Sequence, residues 1–396
     1  MKRQESLLSK TPDHISTPPL PQELLDLRKQ IDRLDSQLLE VLAQRNHVVS
    51  RVAGVKKKHQ IPIRDRERET SILQDRKSTC QTLGLSDSVV ENVYRVLLTA
   101  SRERQADLGT EVPDNLSQRT VAVIGGHGGM GKLFANLFES VGQEVLLADL
   151  DTTLTPTEAA SRADAVLISV PMRATVEVIR KIGPSCRKDG LLFDVTSTKV
   201  EPVEEMIQNS CCDVIGTHPM FGPSVNTLQE QRVVLVHGRL RENSPWPNWL
   251  SRCLKARGML ILESDAEEHD RSMGIVQVLT HLSTQVLGLA MARLGVPITQ
   301  TMRFASPVYL MGLIMTARHF CQSSELYGAI HMSNPNQPEV ARAFSQSLTD
   351  WLESVKNKDQ EEFDRLFTEA HNFFGDFSDQ ALTQSTHLID RLVERG

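Results

Sequence analysis

No pair among the six cysteines (Cys80, Cys186, Cys211, Cys212, Cys253 and Cys321) has CxxC or His-linked spacing. A zinc site is therefore not expected, and the thiols read as reduced ones in a cytosolic protein. No run approaches ~18 consecutive apolar residues, and the charged, Pro- and Ser/Thr-bearing first twenty residues hold no apolar core of an export signal. A cytoplasmic protein without a membrane span is the expectation. A basic excess is also missing: the formal net charge of the chain is −6, which argues against bulk nucleic-acid binding.

What is present is unevenly placed. Residues 22–109 hold 16 Lys/Arg against 13 Asp/Glu, so this segment is locally basic inside an acidic chain and suits an anionic small molecule. At 396 residues the chain exceeds one ordinary core, and two or three domains of roughly 100–150 residues are expected. Residues 1–21, with Pro12, Pro18, Pro19 and Pro21, read as a flexible arm.

From Glu23 the apolar residues Leu24, Leu27, Ile31, Leu34, Leu38, Leu42, Val49, Val52 and Val55 recur at three- and four-residue steps, which predicts one helix as far as Lys58, stopped by Pro62. About 35 residues at 1.5 Å each give a helix on the order of 50 Å long, more than a domain of ~90 residues can cover. Such a helix wants a partner. A second helix follows IPIRDRERE, and a third carries Val89, Val90, Val93, Val96 and Leu97 and ends near Gln105; no strand pattern intervenes. Polar residues 109–118, with Pro113 and Asn115, read as a linker. On the long helix Arg45 and Lys56 lie 11 residues apart, about three turns, and project from one face roughly 16 Å apart, able to close on one small anion. Arg28 lies about 25 Å from Arg45 and turned by roughly 100°, so it serves such a site only across a subunit boundary. The same spacing also suits solvated helix charges, and periodicity alone does not choose between the two.

The string LRKQIDRLDSQLLEVLAQRNHVVSRVAGVKKKHQIPIRDRERE, within residues 22–105, closely resembles the all-helical chorismate mutase domain found fused to aromatic-biosynthesis dehydrogenases. The resemblance implies carboxylate-binding arginines at Arg28 (from the partner subunit), Arg45 and Arg68. It implies a Lys56 and Gln105 pair on the substrate's ether oxygen, Asp65 and Glu69 on its hydroxyl, and Ser101 completing the carboxylate pocket. Intertwined helical domains in a homodimer follow from the partner arginine. The chemistry is coherent, since a pericyclic rearrangement of a dianion needs only a fixed conformer and donors for the charge growing on the ether oxygen.

The remainder is organised around TVAVIGGHGGMG at 120–131. Val121, Ala122, Val123 and Ile124 read as a buried parallel strand, and Leu133, Phe134, Leu137, Phe138 and Val141 as a helix. Between them Gly126, Gly128 and Gly131, with Met130 inside the loop, form the GxGxxG of a dinucleotide site, with a pyrophosphate over the helix N-terminus. Spacing does not decide which of Gly125 and Gly126 leads the turn. The run from Glu144 ends at Asp149, about ~20 residues on, where a carboxylate holds a ribose 2′-hydroxyl. No Lys or Arg follows at once, which favours NAD over NADP.

Repeated strand–helix units follow and predict a doubly wound parallel sheet, with Val233–Val236 and Met259–Leu262 as further strands. Beyond Asp265 only helical patterns persist, over 275–292, 308–320, 340–355 and 363–374. The expected architecture is multidomain: an all-α domain at 22–108, a Rossmann-like α/β NAD-binding domain at 119–264, and an all-α C-terminal domain at 265–396 that forms a dimer core and closes the cleft.

A loop histidine is ordinarily a surface residue, but His218 follows a strand end in GTHPMFGP, where ligands of such sheets bind. DVTSTK places Ser197 and Lys199 at the preceding strand end, and a hydroxyl there can orient an imidazole. HPMFGP behind a Rossmann loop closely resembles the prephenate dehydrogenase family, from about Arg119 onward. The resemblance implies that His218 is the base on the ring C4 hydroxyl, that Ser197 hydrogen-bonds, that Arg318 grips a carboxylate, and that His281 and His269 line the cleft. Leu310 stands where relatives can carry an arginine.

The expected protein is a bifunctional enzyme that turns chorismate into prephenate and then oxidises prephenate with NAD to 4-hydroxyphenylpyruvate, on the route to tyrosine. Tyrosine, sharing the product's ring and a carboxylate, is expected to inhibit. An arogenate-using dehydrogenase and a metabolite-sensing NAD-binding regulator are the alternatives.

Overall fold

The computed structural model describes residues 20–59, 61, 63–108, 116–225 and 227–393. Almost all of the expected arm, the stop at Pro62 and most of the linker, with Pro113 and Asn115, lie outside the described residues. The chain divides into two compact units, Met1–Gly109 and Thr110–Gly396.

The first unit holds three helices, α1 (Gln22–Lys58), α2 (Arg66–Leu83) and α3 (Asp87–Leu108). Asp65 caps α2 by accepting from Arg68 N at 2.9 Å, and Gly84 ends it at φ 67°, a left-handed conformation that costs glycine nothing. Both α1 and α2 pack on α3. Among the described residues nothing covers the N-terminal half of α1: Ile31, Leu34, Leu38 and Leu39 are all exposed, Leu39 to 67%.

The second unit is built on seven strands, β1 (Thr120–Ile124), β2 (Glu144–Ala148), β3 (Ala165–Ile168), β4 (Leu191–Asp194), β5 (Asp213–Pro219), β6 (Arg232–His237) and β7 (Leu260–Ser264). They lie in the order β2-β1-β3-β4-β5-β6-β7. The order reverses between β1 and β3, the switch point at which such sheets bind ligands. The expectation of a parallel sheet needs one correction. β5 and β6 pair antiparallel, with β7 parallel to β6. Among the described residues from Met220 to Gln231 there is no helix, and a parallel crossover needs one or an equally long substitute.

Helices α4 (Gly129–Ser140), α5 (Pro156–Arg162), α6 (Met172–Ile182), α7 (Val200–Asn209) and α8 (Trp246–Ala256) accompany the strands. One face of the sheet is buried by Phe134 and Phe138 of α4 with Trp246 and Trp249 of α8; Phe138 stacks on Trp249 at 5.8 Å. The other face takes Ile179 and Ile182 of α6 with Val203 and Met206 of α7.

The rest is helical: α9 (Ala266–Met273), a π-helical stretch Gly274–Leu279, α10 (Thr280–Leu294), α11 (Ile298–Thr301), α12 (Pro307–Phe320), α13 (Ser324–Ser333), α14 (Gln337–Asn357), α15 (Gln360–Phe374) and α16 (Phe377–Val393). Among the described residues, Ala266–Leu294 is one continuous helical run long and apolar enough to cross a membrane by length and composition, with mean hydropathy 1.4 over its best window. No residue of α10 is buried in the chain, and Phe304, Val308, Phe373 and Leu382 are also exposed.

Candidate active sites

In the helical unit, Arg45 donates from Nη1 to Ser101 Oγ at 2.6 Å, and Gln105 Nε2 donates to the Ser101 carbonyl at 3.0 Å. Gln105 is buried and its Oε1 has no partner. An uncompensated buried amide oxygen costs stability. Arg45 and Arg68 line one cavity of about 410 Å³ together with Arg76, Tyr94, Val41 and Ile72. Arg76 was not among the residues anticipated from sequence, because its place facing Arg45 depends on how α2 packs. Glu69 holds Arg102 at 2.8 Å and Arg64 at 3.5 Å.

Among the expected residues that do not line this cavity within the chain are Asp65, Lys56 and Arg28. Asp65 Oδ1 accepts from Arg68 N at 2.9 Å and caps α2. Lys56 Nζ donates to the Ile63 carbonyl at 2.6 Å and does not line the arginine cavity. Arg28 stands on the exposed half of α1.

In the second unit the chemistry gathers at the carboxyl ends of adjacent strands. After β1, Gly125 takes φ +84°, and a Cβ on it would lie 2.4 Å from the Ser169 carbonyl oxygen. Gly125, not Gly126, therefore leads the tight turn. A Cβ on Gly131 would lie 2.2 Å from the Gly125 oxygen, so helix and strand approach to a distance only glycine permits. Gly128 is the N-cap of α4 and supplies no side-chain cap, which leaves the first amides of the helix, those of Gly129, Met130 and Gly131, as donors for an anion. Asp149 closes β2; its Oδ2 accepts from His127 N at 2.9 Å and its Oδ1 from Leu150 N at 2.8 Å. His127 also meets Asp151 at 2.8 Å. The Asp149 carboxylate at the end of β2 suits a free ribose diol and repels a 2′-phosphate. These features fit an NAD site.

At the end of β5, His218 is 2% exposed. Its Nδ1 lies 2.9 Å from His269 Nε2, and Gln277 Nε2 lies 3.3 Å from its Nε2. The π-helical stretch carries Gln277 to this place; such turns concentrate at functional sites. His269 is equally buried and lies against His218. The orienting contact expected from Ser197 is thus made by His269; among the described hydrogen bonds none joins Ser197 to His218. Lys199 is fully buried, with Nζ 2.5 Å from Asp194 Oδ2 and 2.7 Å from the Thr217 carbonyl. Burial, then the charge of Lys199, then His269 hold His218 well below the ordinary imidazole value of 6.5.

His281 lies one turn beyond Gln277. Its ring packs edge-on to Tyr327 at 4.7 Å and near His319 at 5.5 Å. His319 and Tyr327, with His331, line a neighbouring cavity of about 610 Å³. Burial and then His319 push His281 down to about 4. Arg318 is exposed in the last turn of α12, and no described contact brings it to His218 within the chain. Leu310 sits in the first turn of the same helix.

A basic three-helix unit with paired arginines and, on the same chain, a Rossmann unit with a dinucleotide loop and a buried histidine define a mutase–dehydrogenase. Comparison with known proteins makes the class specific. Residues 27–106 match the family model for chorismate mutase type II. Residues 139–263 match the nucleotide-binding domain of prephenate dehydrogenase, and 265–369 its dimerization domain. The glycine loop precedes the second match and rests on its own geometry. The T-protein of Haemophilus influenzae is 32% identical over 368 residues, covering 93% of this chain and 97% of that protein. The T-protein of Enterobacter agglomerans is 32% identical over 369 residues with the same coverage. The crystal structure of prephenate dehydrogenase from Aquifex aeolicus aligns with TM-score 0.52 at 20% identity, over 63% of this chain and 96% of that one. The chain belongs to the T-protein family of bifunctional chorismate mutase/prephenate dehydrogenases. It converts chorismate to prephenate and, with NAD, prephenate to 4-hydroxyphenylpyruvate, in tyrosine biosynthesis.

Proposed function

We propose that the two activities are divided along the chain, the mutase at 22–108 and the dehydrogenase at 119–396, with residues 109–118 as linker. The mutase site uses Arg45, Arg68 and Ser101 for the substrate carboxylates and Lys56 with Gln105 for the ether oxygen. Asp65 and Glu69 hold the hydroxyl, and Arg28 comes from a second subunit. The joined set Arg45–Ser101–Gln105 beside Arg68 supports this reading. The residues bind one conformer; the ether C–O bond then breaks as the new C–C bond forms, and no proton moves. Lys56 and Gln105 stabilise the charge developing on the departing oxygen.

In the dehydrogenase, the Gly125–Gly131 loop, Met130 and Asp149 hold the dinucleotide. Bound NAD⁺ supplies the acceptor for the hydride that leaves C4. His218 takes the proton of the C4 hydroxyl at its Nε2 and returns it to the phenolate oxygen after the ring carboxylate has left as CO₂. Ser197 and Arg318 hold substrate, with His281 on the adjoining wall. The observation that carries this reading is the buried His218, held well below the ordinary imidazole value, with Gln277 Nε2 3.3 Å from its Nε2.

The exposed apolar residues of α1, α10 and α12 support a homodimer with intertwined helical domains, which also covers the apolar Ala266–Leu294 run without a membrane. A cytoplasmic location and inhibition by tyrosine complete the proposal. Separation of function tests the division, with each half assayed on its own substrate: His218→Asn abolishes NADH formation from supplied prephenate and leaves chorismate consumption intact, and Arg45→Ala abolishes chorismate consumption and leaves NADH formation from supplied prephenate intact. Loss of both activities from either substitution would contradict it.

A further inference from the structure

Asp270, His269, His218 and Gln277 form a single hydrogen-bonded line through the dehydrogenase core. Asp270 is 1% exposed. Its Oδ1 accepts from Lys199 N at 2.8 Å and its Oδ2 from Val200 N at 3.0 Å, at the start of α7. Both carboxylate oxygens thus accept from backbone amides, and a carboxylate can only accept. The Oδ1 also lies 2.8 Å from His269 Nδ1, so that nitrogen must carry hydrogen. In a neutral imidazole the other nitrogen is then bare. For a neutral His269, Nε2 is an acceptor, and the group facing it at 2.9 Å, His218 Nδ1, donates. His218 Nε2 is left with its lone pair, which accepts from the Gln277 amide at 3.3 Å. Turning the Gln277 amide over would point its oxygen at a lone pair, so its donor must face the ring.

We infer that His269 and Asp270 are positioning residues that fix His218 in the Nδ1–H tautomer, and that Gln277 holds the place which the substrate hydroxyl takes. The inference deepens the proposed dehydrogenase mechanism and rests on His218 being its base. In that mechanism the substrate O–H bond breaks to Nε2 as hydride leaves C4, giving an imidazolium whose Nδ1–H remains bonded to His269. The neighbouring groups bear on that charge with opposite signs. Lys199 opposes it, while Asp270, through His269, favours it; Asp194 neutralises Lys199 at 2.5 Å. When the phenolate takes the proton back, the line returns to its starting state, and no proton is gained or lost. Without the Asp270 carboxylate either tautomer is open to His218, and the one with hydrogen on Nε2 cannot accept from a hydroxyl.

Two measurements test this. Nitrogen-15 NMR of the full-length, histidine-labelled protein at pH 8, with His218→Asn identifying the signals of His218, should show hydrogen on Nδ1 and a bare Nε2; hydrogen on Nε2 would overturn the inference. This readout holds whether or not His218 is the base, so its failure is distinguishable from failure of the mechanism, which His218→Asn kinetics addresses. Asp270→Asn should lower kcat for prephenate oxidation at least 100-fold, with KM for prephenate and the Kd for NAD⁺ each within threefold of wild type. A kcat within threefold of wild type in a variant that binds NAD⁺ normally would equally overturn it. If Asp270→Asn does not fold, the tautomer measurement on the wild-type chain still decides.

Discussion

At His218 the local environment sets the useful pH range. The general base must be neutral, and burial with Lys199 nearby holds its value well below 6.5. The acid limb of kcat/KM for prephenate oxidation is therefore expected below the ordinary imidazole range, with activity flat from about pH 6.5 to 8. A limb centred at or above 6.5 would contradict the assignment. The same histidines tie stability to pH. His218 and His281 bind fewer protons folded than unfolded between the depressed folded values, about 4 for His281, and 6.5, so stability rises with pH across that window and is lost on acidification through it. Thermal melts from pH 7 to 4.5 should show Tm falling.

Lys199 supplies a further test at this scale. It is fully buried against Asp194, and removing one member of such a pair strands the other. Lys199→Met is expected to destabilise the dehydrogenase unit by about 3–5 kcal/mol, read from chemical denaturation. His218 itself was legible from sequence because its chemistry sits in one contiguous string, HPMFGP, at a strand end. The contact to His269 was not, since 51 residues separate the two and only folding brings them together. Asp65 shows the opposite case: its residue type suits substrate binding and helix capping equally, and in the structure it caps α2.

Among elements, the β1–α4 junction was read from its glycines with its cofactor, and the structure sharpened which glycine does what. Gly125 makes the turn and Gly131 the close contact, where a methyl group would meet backbone at 2.2 Å. Gly131→Ala should therefore weaken NAD⁺ binding at least tenfold in fluorescence titration while chorismate consumption persists. Unchanged NAD⁺ affinity would displace the cofactor from this loop. The direction of β6 escaped sequence reading, because an apolar run announces a strand without its polarity. Gln277 escaped for a related reason: a π-helical turn shifts residues off the 3.6-residue period on which a helical face is predicted.

For the whole molecule, the apolar surface left bare on α1 and on the C-terminal helices is too extensive for a lone chain, and a dimer is the expected state. Sedimentation should give about twice the 44.3 kDa chain mass; a stable monomer with full mutase activity would exclude Arg28 as a partner's residue. The central claim is that one chain makes prephenate and then oxidises it. The most direct test supplies purified protein with chorismate and NAD⁺ and follows both chorismate loss and NADH gain. The account predicts that chorismate disappears and NADH appears after a lag, as prephenate accumulates and is consumed, reaching one NADH per chorismate. Chorismate loss with no NADH would contradict it.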